Sequence, residues 1–173
     1  MDSIIIKSVS PLVRRAEERD IPRILELLVQ VNDVHAKGRP DIFVEGRTKY
    51  DAAELKKIVA DNETPVFVYD NGQGTVMGYA FCRFERTPGG GNMVPRCDLY
   101  IDDICFDEPC RGGGHAARLF AAVEDFAREA GCGRLTLHVW ECNPRAAHFY
   151  AKCGMTPYFH ALEKPLSQVE LRS

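Results

Sequence analysis

The sequence predicts a single mixed α/β domain around a sheet that begins with antiparallel strands, and three observations lead there. Helical periodicity fills much of the chain before Pro65, and a strand pair with a tight turn lies between Val66 and Cys82. The second half then alternates strand, glycine-rich turn, helix and strand. With 173 residues and 45% hydrophobic content, the chain can bury one substantial core and has little room for a second. The expected division is an extension over 1–11 and one domain over 12–173.

Taken in order, the first expected element is a short strand over 12–16, ending at a turn over 17–20. Asp20-Ile21-Pro22 then opens a helix, with Asp20 as cap and Pro22 in the first turn, and Ile24, Leu25, Leu27, Leu28 and Val31 form its apolar face. The stretch from Val34 to Phe43 is polar and carries Pro40, so it reads as a connection. A second helix is expected over 52–60. Val66-Phe67-Val68-Tyr69, the turn Asp70-Asn71-Gly72 and a strand over 76–82 form a hairpin, and a glycine-rich loop follows over 87–95.

The strand expected over 98–106 has a flaw in its period. Leu99 and Ile101 alternate, and the apolar residues resume at Ile104 and Phe106, so the register slips at Asp102-Asp103 and predicts a β-bulge. A helix over 114–130 carries Leu119, Phe120, Val123, Phe126 and Ala127 on one face and stops at Gly131. Leu135, Leu137 and Val139 alternate with Thr136, His138 and Trp140 as a further strand. Asn143-Pro144 caps a short helix that ends at Gly154, and 158–162 reads as a last strand.

The 22 basic and 25 acidic residues give a net charge of −3, so the bulk field offers no attraction to nucleic acid or to an anionic membrane. An anionic ligand must be held locally. The seven cysteines are odd in number, contain no C-x-x-C pair and fall partly in strands, which argues against a disulfide framework or a metal site and for a cytoplasmic setting. Ile4-Ile5-Ile6 is too short for a signal peptide, and no stretch is long enough to span a membrane.

Chemistry concentrates in the turn Arg111-Gly112-Gly113-Gly114-His115-Ala116. At a helix N-terminus such a turn exposes successive backbone N–H groups where the dipole is positive, which suits a phosphate, and Arg111 adds a fixed charge. Alone, the glycines are equally a connection. Gly112, Gly114 and Ala117 also match the dinucleotide pattern G-x-G-x-x-A, with Glu141 as the ribose ligand. That fold feeds its strand straight into the first glycine near the start of the domain. Here the segment 107–111 intervenes, and most of a domain comes first.

The run from Ile104 to Ala116 resembles the signature of the GNAT superfamily of acetyl-CoA-dependent N-acetyltransferases, (Arg/Gln)-x-x-Gly-x-(Gly/Ala), carried by Arg111, Gly114 and Ala116. Asn143-Pro144-Arg145-Ala146-Ala147-His148-Phe149-Tyr150-Ala151-Lys152-Cys153-Gly154-Met155 resembles the family's Asn-x-x-Ala-x-x-Phe-Tyr-x-x-x-Gly-Phe segment. The resemblance covers roughly 12–163. It implies a twisted, mostly antiparallel sheet of about six or seven strands flanked by about four helices. It also implies acetyl-CoA as cosubstrate, with no metal, and a small-molecule or peptide amine as acceptor. Family members are often dimers. By the same resemblance, the backbone at Ile104, Cys105 and Phe106 pairs with the pantetheine arm, residues 111–116 cradle the pyrophosphate, and Asn143 contacts the reactive end. Cys110 and His115 depart from the aromatic and aliphatic residues usual there.

Direct attack on a thioester needs a neutral amine, and an amine of pKa about 10.4 is neutral only about once in 10³ at pH 7, a deficit of about 4 to 5 kcal/mol. Asp102 and Asp103, at the expected bulge, are candidates for acceptor binding or general base. Asp102 is the first choice by the family's pattern, and the alternative is a polar strand turning from the core. Tyr150 resembles the family's general acid, suited to protonate the departing thiolate or to donate it a hydrogen bond; the structural alternative is an aromatic packing beside Phe149. His35, Arg39 and Asp41 lie in the segment that the resemblance places on the acceptor cleft, although Pro40 gives that stretch a purely geometric reading. His138, His148 and His160 have no Ser or Cys partner. A CoA-binding module without efficient chemistry is the competing reading.

Overall fold

The computed structural model describes residues 12–166; the expected extension over 1–11 lies outside them. Strand β1 (Val13–Arg15) precedes helices α1 (Ile21–Gly38) and α2 (Ala52–Ala60). Strands β2 (Val66–Asp70), β3 (Val76–Thr87) and β4 (Arg96–Phe106) follow, then helix α3 (His115–Glu129), strand β5 (Arg134–Leu137) and helix α4 (Pro144–Lys152). The five strands form one sheet in sequence order. β1 to β4 pair antiparallel, and β4 pairs parallel with β5.

Alternation along the strands sends side chains into two cores, one on each face of the sheet. Ile24, Leu27 and Leu28 of α1 and Leu55 of α2 pack with Val66, Val68, Tyr79 and Cys105 on one face. Leu119, Phe120, Val123 and Phe126 of α3 pack with Phe67, Tyr69, Leu99 and Ile101 on the other. Burying one such aliphatic or aromatic side chain is worth about 1.5 to 3 kcal/mol, so these two layers set the sheet between its helices.

Three expectations need correction. The sheet has five strands among the described residues, not six or seven, because 158–162 pairs with nothing. Pro157 and Pro165 bound that segment and remove backbone donors, and Tyr158, Phe159 and Leu162 are 64%, 50% and 93% exposed, so no apolar face holds it on the sheet. α1 runs on through His35 to Gly38 rather than ending before the polar stretch. Ala36 is buried, and a Cβ at Gly38 would stand 2.6 Å from the Cys142 Sγ, so the last turn of α1 is packed against the loop before α4. Finally, Asp20 does not cap α1 with its side chain. Its carboxylate accepts from Arg14 (2.7 and 2.9 Å) and from the Glu17 N–H (2.8 Å) instead.

Candidate active site

β4 outruns its neighbour. The last β4–β5 pair is Ile101 with Leu137, after which the chain at His138 leaves the sheet while β4 continues to Phe106. The strands therefore make a fork. Its opening is a cleft floored by Ile101, Asp102, Asp103 and Ile104 and walled by α1, the chain over 138–140 and α4.

Register decides which groups face that opening. Phe81 pairs with Asp103 and Cys82 with Ile101, so Asp102 is an extra residue opposite β3. With one residue inserted, Asp102 and Asp103 both turn toward the α1 and α2 face. Beyond it, the Asp107 N–H bonds to Met77 O (2.9 Å), and antiparallel alternation then turns the Cys105 backbone toward β3. Ile104 and Phe106 turn their backbone groups the other way, to the edge that β5 has vacated. Cys105 itself is buried in the α1 and α2 core, its thiol donating to Leu27 O (3.5 Å). Its side chain is thus structural.

The glycine turn closes one side of the fork. Gly112 (φ 94°) and Gly114 (φ 76°) hold left-handed backbone, and a Cβ added to either meets nothing within 4 Å, so open space lies above the turn. Gly114 is the N-cap of α3 without a side-chain cap, and the first bond into the helix is Arg118 N–H to Gly114 O (3.3 Å). The amides of His115, Ala116 and Ala117 therefore have no acceptor among the described residues. Gly113 is small for another reason: the His115 imidazole folds over it, 2.7 Å from where a Cβ would be, and shares a hydrogen bond with the Tyr69 hydroxyl (3.0 Å). The polar ring thus turns inward. Arg111 is also engaged, donating from Nε to Phe106 O (2.9 Å) and from a terminal nitrogen to Gln30 (3.4 Å). These donors and this open turn fit a phosphate-bearing ligand such as CoA.

The two carboxylates differ. Asp102 accepts from the Lys49 ammonium, from Arg83 (3.4 Å) and from the Tyr50 hydroxyl (3.4 Å), so its charge is matched by two cations. Asp103 accepts from the buried Tyr79 hydroxyl (2.8 Å), and no cationic side chain pairs with it directly among the described residues. Burial pushes the Asp103 carboxyl up to about 6, against the Tyr79 hydrogen bond and with help from the Asp102 charge. Tyr150, half-buried on α4 among Phe120 and Phe149, reaches the same cleft, and burial followed by the Asp103 charge raises its phenol above the usual value. Asn143 lines the cleft too, its side-chain oxygen accepting from the Ala146 N–H (3.1 Å) to cap α4.

At the outer end, His35 stacks with Phe43 (5.2 Å between centroids), and Phe43 meets Trp140 edge-on (5.3 Å). Burial lowers the His35 pKa, which favours the neutral ring. Arg39 lies over Trp140 (5.8 Å) and forks onto both Asp41 (2.8 and 2.9 Å) and Glu163 (2.8 and 3.0 Å). The fold thus brings together Asp102, Asp103, Ile104, Asn143, Tyr150 and His35, while Arg39 and Asp41 pair with each other at the rim. Sequence reasoning missed Tyr79, Lys49, Trp140 and His138 as site residues. His138 has left the strand to line the cleft, held by the Tyr100 hydroxyl (3.2 Å) and by Phe159. The alternation runs unbroken through Trp140 and predicted a strand there, so nothing in the sequence marked the end of β5 at Leu137.

The antiparallel pairing around β4 is foreign to a dinucleotide-binding sheet, which is mostly parallel, and removes that alternative. The sequence model of the Acetyltransferase (GNAT) family matches residues 38–155, and the chain belongs to this family. Among curated relatives, it is 34% identical over 77 residues to the probable glucosamine 6-phosphate N-acetyltransferase 2 of Oryza sativa subsp. japonica, a match covering 44% of this chain and 42% of that one. It is 25% identical over 154 residues to the thialysine N-epsilon-acetyltransferase of Bos taurus, covering 83% and 82%. The chain thus spans less than half of the rice relative and most of the bovine one. A crystal structure of a point mutant of the BH1408 protein of Bacillus halodurans superposes with TM-score 0.86 at 28% identity, covering 90% of this chain and 99% of that one. No helix among the described residues is long and apolar enough to cross a membrane.

Proposed function

We propose that this chain is an N-acetyltransferase that moves the acetyl group of acetyl-CoA to a primary amine in the β4–β5 fork. The observation that carries the reading is the juxtaposition, in one cleft, of Ile104 on the strand edge that β5 vacates, the carboxylate of Asp103 and the phenol of Tyr150. Acetyl-CoA supplies an activated thioester. The backbone of Ile104 and Phe106 would hold its pantetheine arm, the amides over 112–117 its pyrophosphate, and Asn143 its reactive end.

Asp103 is the better base of the two carboxylates, because Lys49 and Arg83 already neutralise Asp102. With a pKa of about 6, Asp103 is ionised at neutral pH and is in no direct ion pair among the described residues, so it can attract an ammonium and accept its proton, directly or through a water. Asp102 shapes that field. Tyr150 stays a neutral hydroxyl at neutral pH. Its raised pKa makes complete proton transfer to a thiolate of pKa about 8.5 uphill, so hydrogen-bond donation to the departing sulfur is its role. His35, Arg39 and Asp41 line the acceptor's approach, and the fold works in the cytoplasm. The names of the relatives, which specify glucosamine 6-phosphate and thialysine, favour a small-molecule amine over a protein.

Release of CoA with a panel of amino sugars, diamines, amino acids and peptides tests the reading. Turnover with at least one class is expected. Acetyl-CoA binding with no turnover across the panel would leave a binding module, and stabilisation by NAD rather than acetyl-CoA would overturn the cosubstrate.

A further inference from the structure

Two of the seven cysteines meet at the closed end of the fork, away from the cleft. The Sγ atoms of Cys97 and Cys132 lie 3.7 Å apart, and no other cysteine pair is in contact among the described residues. Cys97 is the second residue of β4, and Cys132 lies in the turn between α3 and β5. Neither takes part in the acetyl-transfer site.

We propose that Cys97 and Cys132 are a redox modification site, a dithiol that hydrogen peroxide or an equivalent two-electron oxidant converts to an intramolecular disulfide. The backbone already suits the bond. Asp98 pairs with Arg134, and the Gly133 N–H bonds to Cys97 O (2.8 Å), so Cys132 stands one residue out of step with Cys97 across a parallel ladder. A strand spacing of about 4.8 Å and a rise of about 3.3 Å put the two Cα atoms about 6 Å apart, inside the range that disulfides span. Closing the sulfurs from 3.7 Å then needs only side-chain rotation and a small backbone adjustment. Both thiols are half-buried, so a small oxidant reaches them.

The chemistry balances. One thiol gives up its proton and the thiolate attacks the peroxide oxygen, giving a sulfenic acid and a hydroxide that takes up that proton as water; the second thiol then displaces the sulfenic hydroxyl, which leaves as water with its proton, and the disulfide forms. Burial, then the Cys97 sulfur beside it, raises the Cys132 thiol; whichever sulfur is oxidised first, the other lies in contact to resolve the intermediate. The bond ties β4 to the root of β5 across a separation of 35 residues. It staples the fork where it is closed and leaves the opening beyond Leu137 free.

Peroxide treatment of the whole chain, read by intact mass, peptide mapping and thermal melting, tests this. A loss of about 2 Da mapped to a Cys97–Cys132 linkage is expected, with a melting temperature higher by roughly 5 to 10 °C that dithiothreitol reverses. Cys132→Ser and, separately, Cys97→Ala should fold, bind acetyl-CoA as the parent does and lose the shift. A linkage through other cysteines, oxygen addition to either thiol without linkage, or a reversible shift that persists in Cys132→Ser would each overturn the proposal.

Discussion

Replacing Asp103 by asparagine should stabilise the protein at neutral pH while it damages the chemistry. The carboxyl titrates near 6 in the fold, because burial disfavours its charge, and near 3.9 in the unfolded chain. A raised acid pKa means that the native state binds more protons between those values. Stability is therefore greatest below about 4, falls as pH rises toward 6 and is flat above. Two pKa units correspond to a penalty of about 3 kcal/mol, and about half of it accrues between pH 5 and pH 8. Asparagine keeps an acceptor for the Tyr79 hydroxyl and removes the ionisation, so its advantage over the parent should grow across that interval by about 1 to 1.5 kcal/mol, or about 3 to 5 °C in Tm. Paired melts of Asp103→Asn and parent at pH 5, 6, 7 and 8 read this directly. A difference that is independent of pH, or that shrinks as pH rises, would refute the assignment of a half-buried carboxylate whose charge the fold disfavours at this position.

Other perturbations separate the remaining parts of the site. Tyr150→Phe should lower kcat by about 10²-fold or more while the Kd for acetyl-CoA stays within twofold, which steady-state kinetics and calorimetry can check. Gly114→Ala places a Cβ in open space but strains backbone at φ 76°, so it should cost about 1 kcal/mol or more in denaturant unfolding and weaken acetyl-CoA binding together. Asp98 is buried at the closed end of the fork under Arg96 (3.0 Å) and Arg134 (2.7 Å), chiefly the latter, and this pair depresses its pKa. Asp98→Asn should therefore destabilise by about 1 to 2 kcal/mol at neutral pH, with the loss fading only as pH falls below the unfolded carboxyl's value of about 3.9, as urea titrations at pH 7 and about pH 3 will show.

The legible parts of this protein were those whose physics is local. The glycines at 112 and 114 need left-handed backbone, and Asn143 caps the helix it begins, so residues adjacent in sequence carried both signals. The slip in alternation marked Asp102 and Asp103 for the same reason. What stayed hidden depends on distant segments. Nothing near Asp102 names Lys49, 53 residues away, and nothing near Asp103 names Tyr79, 24 residues away, yet these partners decide which carboxylate is neutralised. The polar surface of 34–38 read as a loop, because the burial that keeps it helical comes from Ala36 and from Gly38 against Cys142. The segment over 158–162 has a strand's composition but no partner edge, and composition cannot supply one.

Amide hydrogen exchange with and without acetyl-CoA tests most directly whether the fork is the site of the transferred group. Binding should slow exchange at Ile104 and Phe106, whose backbone faces the vacated edge, and at the first-turn amides of His115, Ala116 and Ala117, while Cys105, already turned to β3, stays unchanged. Protection confined to other segments, or none at all under saturating acetyl-CoA, would contradict the account.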